Sequence, residues 1–185
     1  MMNEILHQAE QKMKKSLEVT MREFSSVRTG RASAGLVENL KVEYYGNPTP
    51  LKQVAGISTP EARLIVIQPW DPTALPGIEK AILKSELGIS PSNDGKVIRL
   101  NIPPLTKERR ADLVKLVNKL TEEGRISMRA VRREANEQIK SVEKDNKITE
   151  DECFKGQEEI QKLTDKYIKQ LDELLKRKEA EIMEV

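Results

Sequence analysis

The sequence predicts an α+β protein, an elongated three-helix bundle with a small mixed α/β domain inserted after the first helix. Three observations carry this. Two long heptad-like apolar patterns fill the C-terminal part, an apolar pattern with steps near four opens the chain, and the stretch between changes to strand-like runs and turn residues. The bundle is therefore expected from residues 1–30 and 105–185, and the insertion from 31–104. Composition agrees: 185 residues with 37% hydrophobic and 3% aromatic content leave little for a broad globular core, while long helices with narrow seams need less.

The first helix is expected from about Asn3 to Arg28, where Ile5, Ala9, Met13, Leu17, Met21, Phe24 and Val27 recur, and Thr29 and Gly30 interrupt it. From Arg31 to Pro104 the vocabulary changes. The stretches LKVEYYG, ARLIVIQPW and KVIRLNIP read as strands, bounded by Gly46, Asn47, Pro48, Pro50 and the turn residues from Ser90 to Gly95. One helix is expected in this domain, from Gly77 to Gly88, with Ile78, Ile82 and Leu83 on the face that covers the sheet.

Pro103 and Pro104 precede Thr106, a candidate N-cap for a helix running to about Asp145. Its seam is Leu113, Val117, Leu120, Gly124, Ser127, Val131, Glu134 or Ala135, Gln138 or Ile139, and Val142, weakened around Gly124 and Ser127. Nearly forty residues at the helical rise make a rod of about 60 Å. Asn146 and Lys147 then turn the chain, and Thr149 with Glu152 forms a capping-box pattern for the last helix. Cys153, Gln157, Ile160, Leu163 or Thr164, Ile168, Leu171 and Leu175 continue its seam to near Ile182. None of these helices can bury its seam alone; three together can, so a monomer is expected.

Two connectors join the domains, Arg31, Ala32, Ser33 and Ala34 on one side and Asn101, Ile102, Pro103, Pro104 and Leu105 on the other. Paired connectors restrict translation and leave bending, which makes these residues the expected hinge. The two prolines equally suit a plain linker and helix start.

Motif chemistry points away from an enzyme. The chain has no GxSxG elbow, Walker loop, GxGxxG fingerprint or HExxH pattern, and its one His and one Cys do not build a usual metal site. No catalytic, cofactor or metal residue is therefore nominated. Cys153 falls on an apolar phase and is expected to be a buried structural cysteine, His7 an exposed helix residue, and Met128 a packing residue. No apolar run of membrane-spanning length and no signal-peptide core occur, so a soluble, cytoplasmic protein with no membrane partner is expected.

Net charge of +2 says little until it is divided along the chain. Residues 105–148 hold 12 basic and 8 acidic side chains, a balance of +4, whereas residues 149–185 hold 7 and 11, a balance of −4. Arg125, Arg129, Arg132 and Arg133 make a continuous patch on one stretch of helix, with Glu134 and Glu137 flanking it. Arg109 with Arg110, and Arg28 with Arg31, add two further basic points. Such a pattern fits a phosphate backbone, read by shape and charge, and it also fits a solvated helix face. Tyr44 and Tyr45 suit cross-strand packing or base stacking, and Trp70 a local anchor.

The stretches VRTGRAS (27–33), VEYYGNPTPL (42–51), PPLTKERR (103–110) and VRREAN (131–136) resemble the bacterial and organellar ribosome recycling factor family, in order and across essentially the whole chain. The resemblance implies an L-shaped pair of domains, and binding to post-termination ribosomes to separate the subunits with elongation factor G and GTP. It implies large-subunit ribosomal RNA contact through the helical domain, with Arg129 and Arg132 at the principal basic positions and Arg28, Arg31, Arg110 and Arg133 at others. GTP hydrolysis would belong to the elongation factor. Asn101 and Ile102 before the prolines, and Asp71 and Pro72 after Trp70, depart from the commonest family wording. The rival expectation is a non-enzymatic helical adaptor whose hairpin binds another protein and whose charges serve solubility.

Overall fold

The computed structural model describes residues 1–184, which form two compact units. One comprises Met1–Phe24 and the chain from Val114 on; the other is Ser25–Leu113. The units thus divide the chain a few residues away from the boundaries expected at 30/31 and 104/105. The reason is local: Val27 is buried, the Arg28 Nη2 donates to the Pro103 carbonyl at 2.9 Å, and Gly30 lies against Leu105, so residues flanking the insertion hold to one another.

The first unit is built from helix α1 (Met2–Ser25), most of α3 (Lys107–Lys144) and α4 (Glu150–Met183). Buried residues of α1 are Ile5, Ala9, Met13, Leu17, Thr20 and Phe24. Each step of four turns the seam by about 40° relative to the helix axis, so a step of three is needed to bring it back. That is why Thr20 is buried and Met21, expected on the seam, is exposed. The same drift replaces Leu120 and Ser127 by Thr121 and Met128 on α3, and Gln157 and Ile168 by Gly156 and Tyr167 on α4. Thr20, Thr121 and Thr164 sit buried because each hydroxyl donates to the carbonyl four residues back, at 3.2, 2.7 and 2.8 Å.

Gly124, an apparent weak point of the seam, is a point of close approach between the three helices. A Cβ there would lie 2.9 Å from Thr20 Oγ1 and 3.0 Å from Leu171 Cδ2. Neither neighbour is free to retreat, since the hydroxyl is bonded and Leu171 is fully buried. Gly124→Ala gains up to about 1 kcal/mol of helix propensity but incurs about 1–3 kcal/mol of overpacking. A net loss of about 1 kcal/mol is expected, read as a lower urea midpoint with unchanged slope.

Helix ends follow their local chemistry. Thr106 Oγ1 accepts from the Arg109 N–H at 3.1 Å. At α4, Thr149 and Glu152 form the expected capping box, the Glu152 N–H donating to Thr149 Oγ1 and the Thr149 N–H to Glu152 Oε2. Asn146 turns the chain between them at φ +54°.

The second unit holds a two-stranded hairpin, β1 (Lys41–Tyr44) with β2 (Asn47–Pro50), and a four-stranded antiparallel sheet. That sheet comprises β3 (Ala55–Glu61), β4 (Leu64–Pro69), β5 (Ser92–Asn93) and β6 (Ile98–Asn101), in the order β3-β4-β6-β5. Ile65, Ile67, Ile98 and Leu100 alternate inward, where Leu75, Ile78 and Ile82 of helix α2 (Leu75–Lys84) join the same core. Leu83, expected on that face, points to solvent, and the helix starts earlier and ends earlier than expected. Strands β2, β3 and β5 lie outside the expected strand stretches: Pro48, Pro50 and Pro60 resemble turn residues but are tolerated on edge strands, and the two-residue β5 sits among the turn residues from Ser90 to Gly95.

Tyr45 (φ +50°) and Gly46 (φ +77°) make the two-residue hairpin turn. Both tyrosine hydroxyls, Tyr44 at 3.0 Å and Tyr45 at 3.2 Å, donate to Asp71 Oδ2, with the rings edge-on at 4.5 Å between centroids. The Thr73 N–H and then the tyrosines hold the Asp71 carboxyl below its usual range, while the bond to Asp71 pushes Tyr44 up to about 12. The signs follow: the Asp71 contribution is present above the ordinary carboxylate range and lost as pH falls through the lowered value. That of Tyr44 is complete below the ordinary tyrosine range and lost as pH rises through about 12. In an ultraviolet phenolate titration, one tyrosine is expected to ionise near pH 12, and in Asp71→Ala, which removes both the acceptor and the charge, to fall back toward about pH 10.

Trp70 was expected as a local anchor, but its side chain is 68% exposed. It continues the outward phase of β4, opposite to Ile65, Ile67 and Pro69, and its backbone N–H donates to the Val54 carbonyl.

Candidate nucleic-acid interface

Helix α3 places its arginines by periodicity. Arg125, Arg129 and Arg132 fall within about 60° of one another around the axis, and Arg133 at the edge of that strip. The structure separates their roles. Arg125 is only 24% exposed; its Nε and Nη2 donate to Asp172 Oδ1 of α4 at 3.0 and 2.6 Å, and its Nη1 to Glu122 at 3.0 Å. The bond to Asp172 raises its affinity for the proton. Arg125 therefore staples α3 to α4, and the patch of four guanidiniums expected from the sequence reduces to three.

Those three remain accessible. Arg129 is exposed, with Nη1 3.3 Å from Glu122 Oε1. Arg132 is half-buried, its Nη1 donating to Gln161 Oε1 at 3.3 Å. Arg133 is exposed and has no bonded partner among the described residues. The Arg125 bond and then the Arg129 charge hold the Glu122 carboxyl below its usual range, so it stays anionic. Glu134, a candidate neutraliser, is turned to Lys12 of α1 at 2.6 Å. Sequence reasoning missed Glu122, Asp172 and Gln161; only Glu122, three residues before Arg125, left a local signal.

In the other unit, Arg28, Arg109 and Arg110 form a second electropositive group. Arg28 Nε and Arg110 Nε are buried without hydrogen-bond partners. Burial, and then the charge of Arg109, push the proton affinity of Arg28 down, as expected where cations gather without enough acceptors. Arg31 is exposed at the start of the first connector. Ala32 donates its N–H to the Ala62 carbonyl, Ser33 caps a short 3₁₀ turn beginning at Ala34, Asn101 pairs in β6 and Ile102 is buried with its N–H on Arg63. Much of the expected hinge is thus tied into the sheet unit; Pro103, Pro104 and Leu105 follow those ties.

Other chemistry is muted. Cys153 is buried and its thiol is pushed up by that burial, His7 is exposed, and no cluster among the described residues is suited to a metal ion. No helix among them is long and apolar enough to cross a membrane.

A three-helix bundle interrupted after its first helix by a small antiparallel-sheet unit, with accessible guanidiniums along its longest helix, defines a two-unit helical protein with a surface suited to anions. Residues 20–183 match the family model described as ribosome recycling factor. Over the full length of both chains, the sequence is 58% identical to the ribosome-recycling factor of Heliobacterium modesticaldum and 57% to that of Carboxydothermus hydrogenoformans. A solution structure of the ribosome recycling factor matches with a TM-score of 0.80 at 50% identity, covering 100% of this chain and 98% of that one. A second, describing the T. thermophilus ribosome recycling factor and E. coli elongation factor G bound to the E. coli post-termination complex, matches at 0.71 and 46% identity, covering both chains fully. The chain belongs to the ribosome recycling factor family.

Proposed function

We propose that this protein recycles ribosomes after translation termination, docking its bundle on large-subunit ribosomal RNA and separating the subunits together with elongation factor G. The carrying observation is the accessible strip of Arg129, Arg132 and Arg133 on a rigid helix, in a family with a relative described on the post-termination complex beside that elongation factor. Guanidiniums are the side chains best matched to phosphate oxygens, and a helix packed on two neighbours presents them at fixed spacing. Arg28, Arg31 and Arg110 supply a second phosphate contact, where buried Nε groups of Arg28 and Arg110 still lack acceptors.

In this reading the protein is a cytoplasmic monomer that catalyses no reaction. The elongation factor hydrolyses GTP and moves the sheet unit, while the bundle holds its place on RNA. Bending takes place at the expected connectors, Arg31–Ala34 and Asn101–Leu105. Within them the sheet ties at Ala32, Asn101 and Ile102 favour bending at Arg31 and at Pro103–Leu105. The test is splitting of purified post-termination ribosomes by the full chain with elongation factor G and GTP, followed by light scattering. Splitting at the level of a matched recycling factor is expected. No splitting under conditions where that factor works would overturn the reading in favour of a helical adaptor. Distance measurements between labels on the two units, on ribosomes with and without the elongation factor, would sink the bending step if they never changed.

A further inference from the structure

Arg129 and Arg132 are held differently. Arg129 rests on a carboxylate, that of Glu122, which competes with any phosphate for the same guanidinium. Arg132 rests on the neutral side chain of Gln161, whose Nε2 donates in turn to Asp165 Oδ1 at 2.9 Å. Chemistry fixes which way this amide faces. A guanidinium only donates and a carboxylate only accepts, so the oxygen must meet Arg132 and the nitrogen Asp165. Gln161 and Asp165 lie one turn apart on α4, within about 40° of each other around its axis, and α4 is packed against α3 by its buried seam.

We propose that Gln161, oriented by Asp165, is a positioning residue that holds the Arg132 guanidinium ready for a phosphate of ribosomal RNA; this rests on the reading of Arg132 as an RNA contact. The pair restricts the rotamers of a long side chain before docking, which lowers the ordering cost at the moment of binding. It does so without placing a full negative charge next to the incoming phosphate, because the Asp165 carboxylate stands one amide further back. Neither residue needs to touch the RNA.

The experiment is binding of the full-length protein to purified bacterial large ribosomal subunits over a range of salt concentrations. Arg132→Ala is expected to weaken binding and to reduce the slope of log K against log salt by about one contact. Gln161→Met, similar in shape but without the acceptor, is expected to weaken binding about three- to tenfold with the slope unchanged, since the guanidinium keeps its charge. Asp165→Leu is expected to behave like Gln161→Met. Asp165→Asn is expected to bind as wild type, because its amide oxygen still accepts from Gln161. Wild-type binding by Gln161→Met alongside a loss in Arg132→Ala overturns the positioning role and leaves the RNA reading standing. Wild-type affinity and slope in Arg132→Ala overturns the RNA reading and this inference with it. Loss in Asp165→Asn equal to that in Asp165→Leu overturns the orienting role of Asp165.

Discussion

Replacement of Arg132 by alanine is expected to weaken docking on the large subunit by about 10- to 100-fold and to depress ribosome splitting in parallel, while helical content is retained. The magnitude follows from one charge-assisted contact to phosphate, worth about 1.5–3 kcal/mol. Alanine is the best helix former, so the backbone of α3 is not at risk. The seam is not either, because the buried residues nearest in sequence, Met128 and Ala135, lie on the packed face of the helix. Loss should be greatest at low salt, where counterion release contributes most, and a double Arg129→Ala, Arg132→Ala variant should show a slope flatter by about two contacts. Arg125→Ala is the informative contrast. With its guanidinium engaged by Asp172 and Glu122, its loss should appear as lower bundle stability and little change in salt slope. Equal salt behaviour of Arg125→Ala and Arg132→Ala would refute the division of roles. Full splitting by the double variant would refute the RNA-docking reading.

Leu171→Ala is expected to be the most damaging single change to the bundle, costing about 3–5 kcal/mol, in the upper part of the range for buried leucines. Leu171 is fully buried with Met13, Leu17, Met128 and Tyr167. Its Cδ2 also occupies the space beside Gly124, a residue with no side chain to follow it into the gap. Thr20, the other neighbour of Gly124, is tethered to the Ser16 carbonyl, so the cavity cannot collapse from that direction. For a protein of ordinary stability, about 5–15 kcal/mol, this is a substantial fraction. Urea unfolding followed by far-ultraviolet circular dichroism would read it as a shifted midpoint. A loss under about 1 kcal/mol would mean that the junction of the three helices repacks freely and that Gly124 is not closely packed.

The legibility of the sequence tracked how local each determinant is. The capping box at Thr149 and Glu152, the cap at Thr106 and the turn at Asn146 depend on residues within one turn of each other, and all stand where expected. The three hydrophobic strand stretches and the helix over Ile78 and Ile82 were equally legible, because apolar periodicity is a property of the segment itself. Positions near the edge of a seam were not. Thr20 against Met21, Thr121 against Leu120 and Met128 against Ser127 differ by one residue: helical drift requires a step of three, and the neighbouring helices decide where it falls.

Taken by itself, the sequence determined the order of the long helices, three of the strand stretches, the helix caps, the insertion after the first helix and the arginine row on the longest helix, since each is encoded by spacing along one segment. Only tertiary structure decided that Gly124 is a close-approach point, that Trp70 is exposed, and that Arg125 is a staple while Arg129 and Arg132 stay accessible. Those outcomes turn on partners far along the chain: Leu171 for Gly124, Asp172 for Arg125 and Gln161 for Arg132. A side chain's chemistry is written in its own residue, but its availability depends on which groups the packed helices bring within hydrogen-bonding distance of it.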